Sequence, residues 1–245
     1  MVTPLKTLHS LSLARRATAE GVGTALLLAT VVGSGIMGER LSGGNAAIAL
    51  LANSLATGAG LTALILGLAS VSGAHFNPVV TLADAAMRRR PWSDVPAYIA
   101  AQVLGAFAGV ALAHGMFGEA IFSAARRARA GSGQLLSEFI ATFGLLAIIW
   151  GCSRRRADAV PFAVGAYITA AYWFTASTSF ANPAVTLARS ATDSFTGIRL
   201  GDASLFVVAQ VLGATAAMAF VVWVSREDTS AAKARVMREP TADGW

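Results

Sequence analysis

The sequence predicts an all-α membrane protein of six transmembrane helices plus two re-entrant half-helices, arranged as an inverted repeat. Three observations carry this. Long apolar stretches recur almost free of charge, with the charged residues gathered in short runs between them. Two further apolar pieces are too short to cross a bilayer. The two halves of the chain repeat one another in residue order.

The composition agrees. Of 245 residues, 55% are apolar and 13% charged, against about 25% charged in an ordinary soluble domain. The lipid bilayer is therefore the expected surrounding. The net charge of +6 does not point to nucleic acid. The basic residues sit at the ends of apolar segments, where the positive-inside rule places them, and no basic face with interleaved aromatics is present. Cys152 is the single cysteine, so an intrachain disulfide is impossible and a thiolate metal site is not expected. His9, His75 and His114 are far apart in the chain. No metal site, cofactor site or nucleophile–base constellation is predicted, and the chain is not read as an enzyme.

A membrane helix needs about 20 largely apolar residues. Six stretches qualify: Ala19–Met37, Ala46–Ala69, Val95–Met116, Leu135–Cys152, Val160–Thr178 and Ala203–Val224. Gly, Ala, Ser and Thr are abundant within them, which permits close helix approach in lipid. The first follows Lys6, Arg15 and Arg16 without a clear small-residue cleavage site, and reads as a retained span rather than a signal peptide. Pro78–Met87, stopped by Arg88, Arg89 and Arg90, and Pro183–Phe195 are the short pieces. Ten helical residues rise about 15 Å, half of a hydrocarbon core. Each is a candidate half-helix, and the irregular segment before it must be buried in protein or line a wet cavity. With both termini cytoplasmic, the Arg88–Arg90 run, the Arg154–Arg156 run and the tail carrying Arg226, Lys233, Arg235 and Arg238 share the cytoplasmic side. Arg126, Arg127 and Arg129 fall outside, against the rule.

The repeat is the most informative feature. Asn77-Pro78-Val79-Val80-Thr81-Leu82-Ala83 recurs as Asn182-Pro183-Ala184-Val185-Thr186-Leu187-Ala188, and Ala101-Gln102-Val103-Leu104-Gly105-Ala106 recurs as Ala209-Gln210-Val211-Leu212-Gly213-Ala214. A glutamate, Glu20 or Glu138, opens an apolar span ahead of each copy. Three spans per half is an odd number, so the second half enters the membrane inverted and the half-helices meet near the midplane. Asn is a strong N-cap and Pro is favoured just after it, so each Asn-Pro marks a helix start with an amide left to donate into a lumen. Two helix starts, each carrying about half a positive charge, repel cations and protons when opposed. This arrangement suits a pore for neutral solutes.

At these residues the chain resembles the aquaporin family, or major intrinsic proteins, from about Glu20 to about Val224. The motifs are Ser72-Gly73-Ala74-His75-Phe76-Asn77-Pro78 and Phe180-Ala181-Asn182-Pro183-Ala184. The resemblance implies an aquaporin-like channel domain over 18–225, with repeats at about 18–117 and 135–225. Cytoplasmic tails at 1–17 and 226–245 are expected to flank it, with the whole in the plasma (inner) membrane. It also implies a homotetramer with one pore per subunit. Asn77 and Asn182 then correspond to the paired pore asparagines. Gly73, Ala74 and His75 belong to the first pore loop. Glu20 and Glu138 are expected to brace the loops by accepting backbone N–H bonds, with Gln102 and Gln210 supporting them. Gly105 and Gly213 are expected helix contacts.

The chain departs from the family twice. The first motif reads Asn-Pro-Val, so Val79 is expected to add bulk where the half-helices meet. The second reads Asn-Pro-Ala followed by Val185, where most members carry a filter arginine. Arg189 lies one turn further out and is the vestibule candidate. Counting from the motifs places the other filter positions at Thr57, Ala170 and Ser179, a set without bulky aromatic or arginine. The expected function is a passive channel for small neutral solutes (water, glycerol-like polyols, and urea or metalloid hydroxides such as arsenous acid) that excludes protons and ions. The alternatives are a secondary transporter or a closed structural protein of the same fold.

Overall fold

The computed structural model describes residues 11–225; the tail residues 1–10 and 226–245 lie outside it, and with them the expectations for Lys6 and for Arg226, Lys233, Arg235 and Arg238. The helices are α1 (Leu13–Leu41), α2 (Ala46–Ser72), α3 (Pro78–Ala86), α4 (Val95–Phe117), α5 (Ser132–Arg155), α6 (Val160–Phe174), α7 (Pro183–Ala188) and α8 (Leu200–Ser225). Single 3₁₀ turns precede α4 and α6 and follow α7. Among the described residues there is no strand.

Five helices are long and apolar enough to span a membrane: α1, α2, α4 with its leading turn, α5 and α8. The sixth, α6, has 15 residues and rises about 23 Å, with the Ala157–Ala159 turn extending it. It stops at Phe174 rather than running to Thr178. Thr175 turns extended, and Thr178 and Ser179 take positive φ, because the chain must dive back toward Asn182. α1 begins earlier than expected, inside the segment read as tail. Ser12 caps it by accepting from Arg15 N at 3.4 Å, and Arg16 of its first turn pairs with Asp94 at the start of α4. α7 is shorter than the expected Pro183–Phe195. Beyond the Arg189–Ala191 turn, the Thr192 hydroxyl meets His114 Nε2 at 2.7 Å, and Asp193 accepts from Arg126 N at 3.0 Å and Arg126 Nε at 2.7 Å. These contacts pull the chain out of the helix.

The connections fix two faces. Arg16, Asp94, Arg90 and the Arg89–Ser153 contact share one, the α3 mouth. Arg40 near the end of α1, Phe117 at the end of α4 and the α7 terminus share the other, the α7 mouth. Packing repeats across the halves: α1 on α4 and α2 answers α5 on α8 and α6, while α3 and α7 each contact both α4 and α8. The close approaches sit at glycines. A Cβ on Gly105 would overlap the Gly21 carbonyl oxygen, and one on Gly213 would overlap that of Phe139. Gly58 and Gly165 block one another's Cβ reciprocally where α2 crosses α6.

Gly105→Leu forces α1 from α4 and is expected to cost about 1–3 kcal/mol, read as a lower thermal-unfolding midpoint in detergent. Gly67→Leu, with nothing within 4 Å of its Cβ position, is the control and should change stability by no more than about 0.5 kcal/mol.

Candidate functional site

Both loops that lead into α3 and α7 hold backbone conformations that L-residues avoid. Gly73, Ala74 and Phe76 have φ of 97°, 51° and 48°. Thr178, Ser179 and Ala181, the equivalents 105 positions on, have 62°, 49° and 48°. Each such non-glycine residue costs about 1–2 kcal/mol, so other interactions must hold the loops.

Two buried carboxylates do so. Glu20 is 0% exposed. Its Oε1 accepts from Ser72 Oγ at 2.6 Å and His75 N at 3.0 Å, and its Oε2 from Phe76 N at 2.7 Å and Gln102 Nε2 at 2.8 Å. Glu138, also 0% exposed, accepts from Phe180 N and Ala181 N, each at 2.9 Å, and from Gln210 Nε2 at 2.6 Å. Gln102 and Gln210 each donate onward, to Thr81 Oγ1 at 2.9 Å and Thr186 Oγ1 at 2.8 Å. Those hydroxyls bond the carbonyls of Asn77 and Asn182. The brace thus runs from the spanning helices to the half-helix starts.

Asn77 caps α3 by accepting from Val79 N at 3.1 Å, and Asn182 caps α7 by accepting from Ala184 N at 3.0 Å and Val185 N at 3.3 Å. Pro78 and Pro183 fill the first helical positions. Each cap also crosses between the halves: Asn77 Nδ2 donates to the Ala181 carbonyl at 2.8 Å, and Asn182 Nδ2 to that of Phe76 at 2.7 Å. One hydrogen on each amide is thereby taken, leaving the second for the lumen.

A cavity of about 1140 Å³ passes this waist. Toward the α3 mouth it is lined by Gly73, Ala74, His75, Asp84 and Arg88–Arg90, and toward the α7 mouth by Thr57, Tyr172, Ser179, Val185 and Arg189. His75 is held by structure: Nδ1 meets Thr81 Oγ1 at 3.0 Å and Nε2 lies 3.5 Å from Asp84. Arg90 donates to the Ser72 carbonyl at 2.8 Å and stacks 4.0 Å over Tyr98.

Two expectations change. Ala170 is exposed on the outer face of α6, while Val164, Ile168 and Tyr172 face the cavity. The cavity face recurs every four residues, so a position two away points elsewhere. The Tyr172 hydroxyl lies 3.2 Å from Thr57 Oγ1, so this end of the cavity does carry an aromatic. Val79 is absent from the cavity wall, where Val80 stands instead. It packs with Leu146, Ala214 and Ala217, so alanines on α8 absorb the bulk expected between the half-helices. Ala184 is likewise buried outside the wall. Sequence reading assigned no individual site role to Asp84, Arg90, Phe180 or Arg129. A lone carboxylate inside the apolar Pro78–Met87 piece was the available signal for Asp84.

Glu138→Gln sets an amide NH₂ against neighbouring donors and strands one of them. A loss of about 2–3 kcal/mol is expected, visible as a lowered unfolding midpoint in detergent. An unchanged midpoint would mean that the asparagine cap holds the loop without the carboxylate.

The Major intrinsic protein family model matches residues 7–178 and 153–244. Aquaglyceroporin AqpS of Rhizobium meliloti (strain 1021) is 52% identical over 217 residues, covering 89% of this chain and 93% of the relative. Aquaporin NIP3-1 of Oryza sativa subsp. japonica is 36% identical over 165 residues, covering 64% of this chain and 52% of the relative. The X-ray structure of the aquaglyceroporin from Plasmodium falciparum superposes with a TM-score of 0.68 over 85% of this chain and 95% of that one, at 22% identity, a likeness of fold. With the paired loops, their glutamate braces and a family match and relative covering most of the chain, the chain belongs to the major intrinsic protein family.

Proposed function

We propose that the chain is a passive membrane channel for water and glycerol-like neutral solutes. The observation that carries this reading is the cavity crossing the two opposed Asn-Pro helix starts, where one amide hydrogen of each asparagine remains for a passing oxygen. A relative 52% identical carries the name aquaglyceroporin, which supports it. A coupled transporter needs a free carboxylate or ion ligand at the midplane. Glu20 and Glu138 instead have both oxygens committed to the loops. No enzymatic role is assigned.

The filter in this reading is Thr57, Tyr172, Ser179 and Val185. It sets hydroxyls against one branched apolar side chain, a wall that matches a polyol's oxygens and its carbon backbone. Urea and metalloid hydroxides such as arsenous acid share that size and polarity. The α3 mouth is assigned to the cytoplasm, with both termini there, in the plasma (inner) membrane. Among the described residues, Arg88, Arg155 and Arg156 on that face are exposed and have no ion-pair partner, whereas Arg40, Arg126 and Arg199 on the other face pair with Glu119, Asp193 and Asp202. This bias, together with the exposed run Arg154–Arg156, supports the orientation through the positive-inside rule, although Arg127, Arg129 and Arg189 at the α7 mouth run against it. A homotetramer is the assembly the family resemblance implies.

In proteoliposomes given an osmotic jump, light scattering should report water flux and glycerol re-swelling above protein-free vesicles. Val185→Arg narrows the filter and should slow glycerol by about tenfold, a 1.4 kcal/mol rise in barrier, with a smaller effect on water. Water flux without glycerol flux in the wild type would overturn the filter assignment.

A further inference from the structure

Three arginines crowd the α7 mouth around two phenylalanines. The Arg189 guanidinium carbon lies 3.4 Å from the Phe180 ring centroid and that of Arg129 lies 5.0 Å from it, while Arg127 stacks over Phe195 at 5.2 Å. Arg189 is 1% exposed and Arg129 8%. Neither forms an ion pair with a carboxylate among the described residues. Glu138, the buried carboxylate on α5 that braces the second loop, is committed to the Phe180 and Ala181 amides.

The two buried arginines differ in what they have left to give. Arg129 spends its donors on the carbonyls of Gly197, Ser177 and Phe195 and on the Thr178 hydroxyl. Burial, then the neighbouring charge of Arg189, pulls its pKa down to about 9. Arg189 donates only through Nε, to the Thr196 carbonyl. Its two terminal nitrogens have no partner among the described residues, and the residue lines the cavity. Ser179, next to the stacked Phe180 and in the same wall, is 3% exposed with its hydroxyl unpartnered. A buried guanidinium with two free N–H edges, in the same cavity wall as an orphaned hydroxyl, is an incomplete polar site, and the fork matches the spacing of two oxygens on one carbon or nitrogen. Excess positive charge in a poorly solvated wall favours an anion there over a neutral guest.

We propose that the α7 end of the cavity is a binding site for a small monovalent oxyanion of carboxylate geometry, held by the free terminal nitrogens of Arg189 and the Ser179 hydroxyl, and that its occupancy blocks solute passage. The channel so becomes sensitive to the organic-acid content of the medium on that side. The inference rests on the channel reading above.

The test uses formate as probe, at neutral pH and on both sides of the vesicle, with gluconate at equal ionic strength as the control too large to enter. Two charge-assisted bonds of ordinary strength correspond to a dissociation constant of about 1 mM or somewhat weaker. Formate at ten times that concentration should slow wild-type glycerol re-swelling by at least about twofold. Arg189→Gln should abolish the slowing, and Ser179→Ala should weaken it. If Arg189→Gln fails to assemble, Val185→Glu sets a carboxylate one turn away and should cancel the formate effect without altering Arg189. Equal re-swelling in formate and gluconate overturns the site, as does slowing that persists unchanged in Arg189→Gln or, in its place, Val185→Glu. Absent glycerol flux in salt-free buffer would instead strike the channel reading, so the two failures are told apart.

Discussion

Residues 73–77 and 178–182 place irregular backbone at the middle of a membrane protein, where lipid offers no hydrogen bonds. The loop amides of His75, Phe76, Phe180 and Ala181 are answered by two carboxylates, Glu20 and Glu138. A buried charge is expensive alone and tolerable when its lone pairs are filled. Here the same bonds offset both the cost of the charge and the cost of the loop's positive φ values. The glutamines, the threonines of the half-helices and the asparagine caps extend that brace to the lumen. The pore lining is thus set by groups that mostly do not touch it.

The repeat made most of this readable in the sequence. Glu20, Asn77 and Gln102 stand in the same order as Glu138, Asn182 and Gln210, and in both halves of the structure the glutamine bonds the glutamate and, through a threonine hydroxyl, reaches the asparagine carbonyl. Boundaries were less readable, because a hydrophobicity window registers the apolar body of a helix and ignores its polar first turn. α1 therefore begins inside a stretch that reads as tail, capped by Ser12. α6 and α7 end early for the opposite reason, since Thr175 and Thr192 turn extended where the composition continues unbroken.

Of the positions counted from the motifs, three fall on the cavity wall and one does not. Thr57, Ser179 and Val185 line the cavity. Ala170 does not, because the stretch between α6 and Asn182 includes an irregular segment whose length sequence counting cannot weigh. A two-residue error on a helix exchanges one face for another, and it replaced Tyr172 by an outward alanine. Val79 carries a related lesson. The residue after Asn-Pro turns toward α8, so the size of that side chain concerns Ala214 and Ala217 rather than the solute.

The crossed bonds between Asn77 and Ala181 and between Asn182 and Phe76 bear on how the chain is made. The first half carries its own glutamate, glutamine and cap, so its loop can be braced as soon as α4 is inserted. Its waist cannot be finished then: the Asn77 amide and the Phe76 carbonyl wait for partners more than 100 positions later. During biogenesis the nascent first half must hold these groups in contact with water or the insertion machinery until the second loop is synthesised. Closure of the waist therefore cannot precede synthesis of the second loop, and it ties together two halves that also meet where α2 crosses α6.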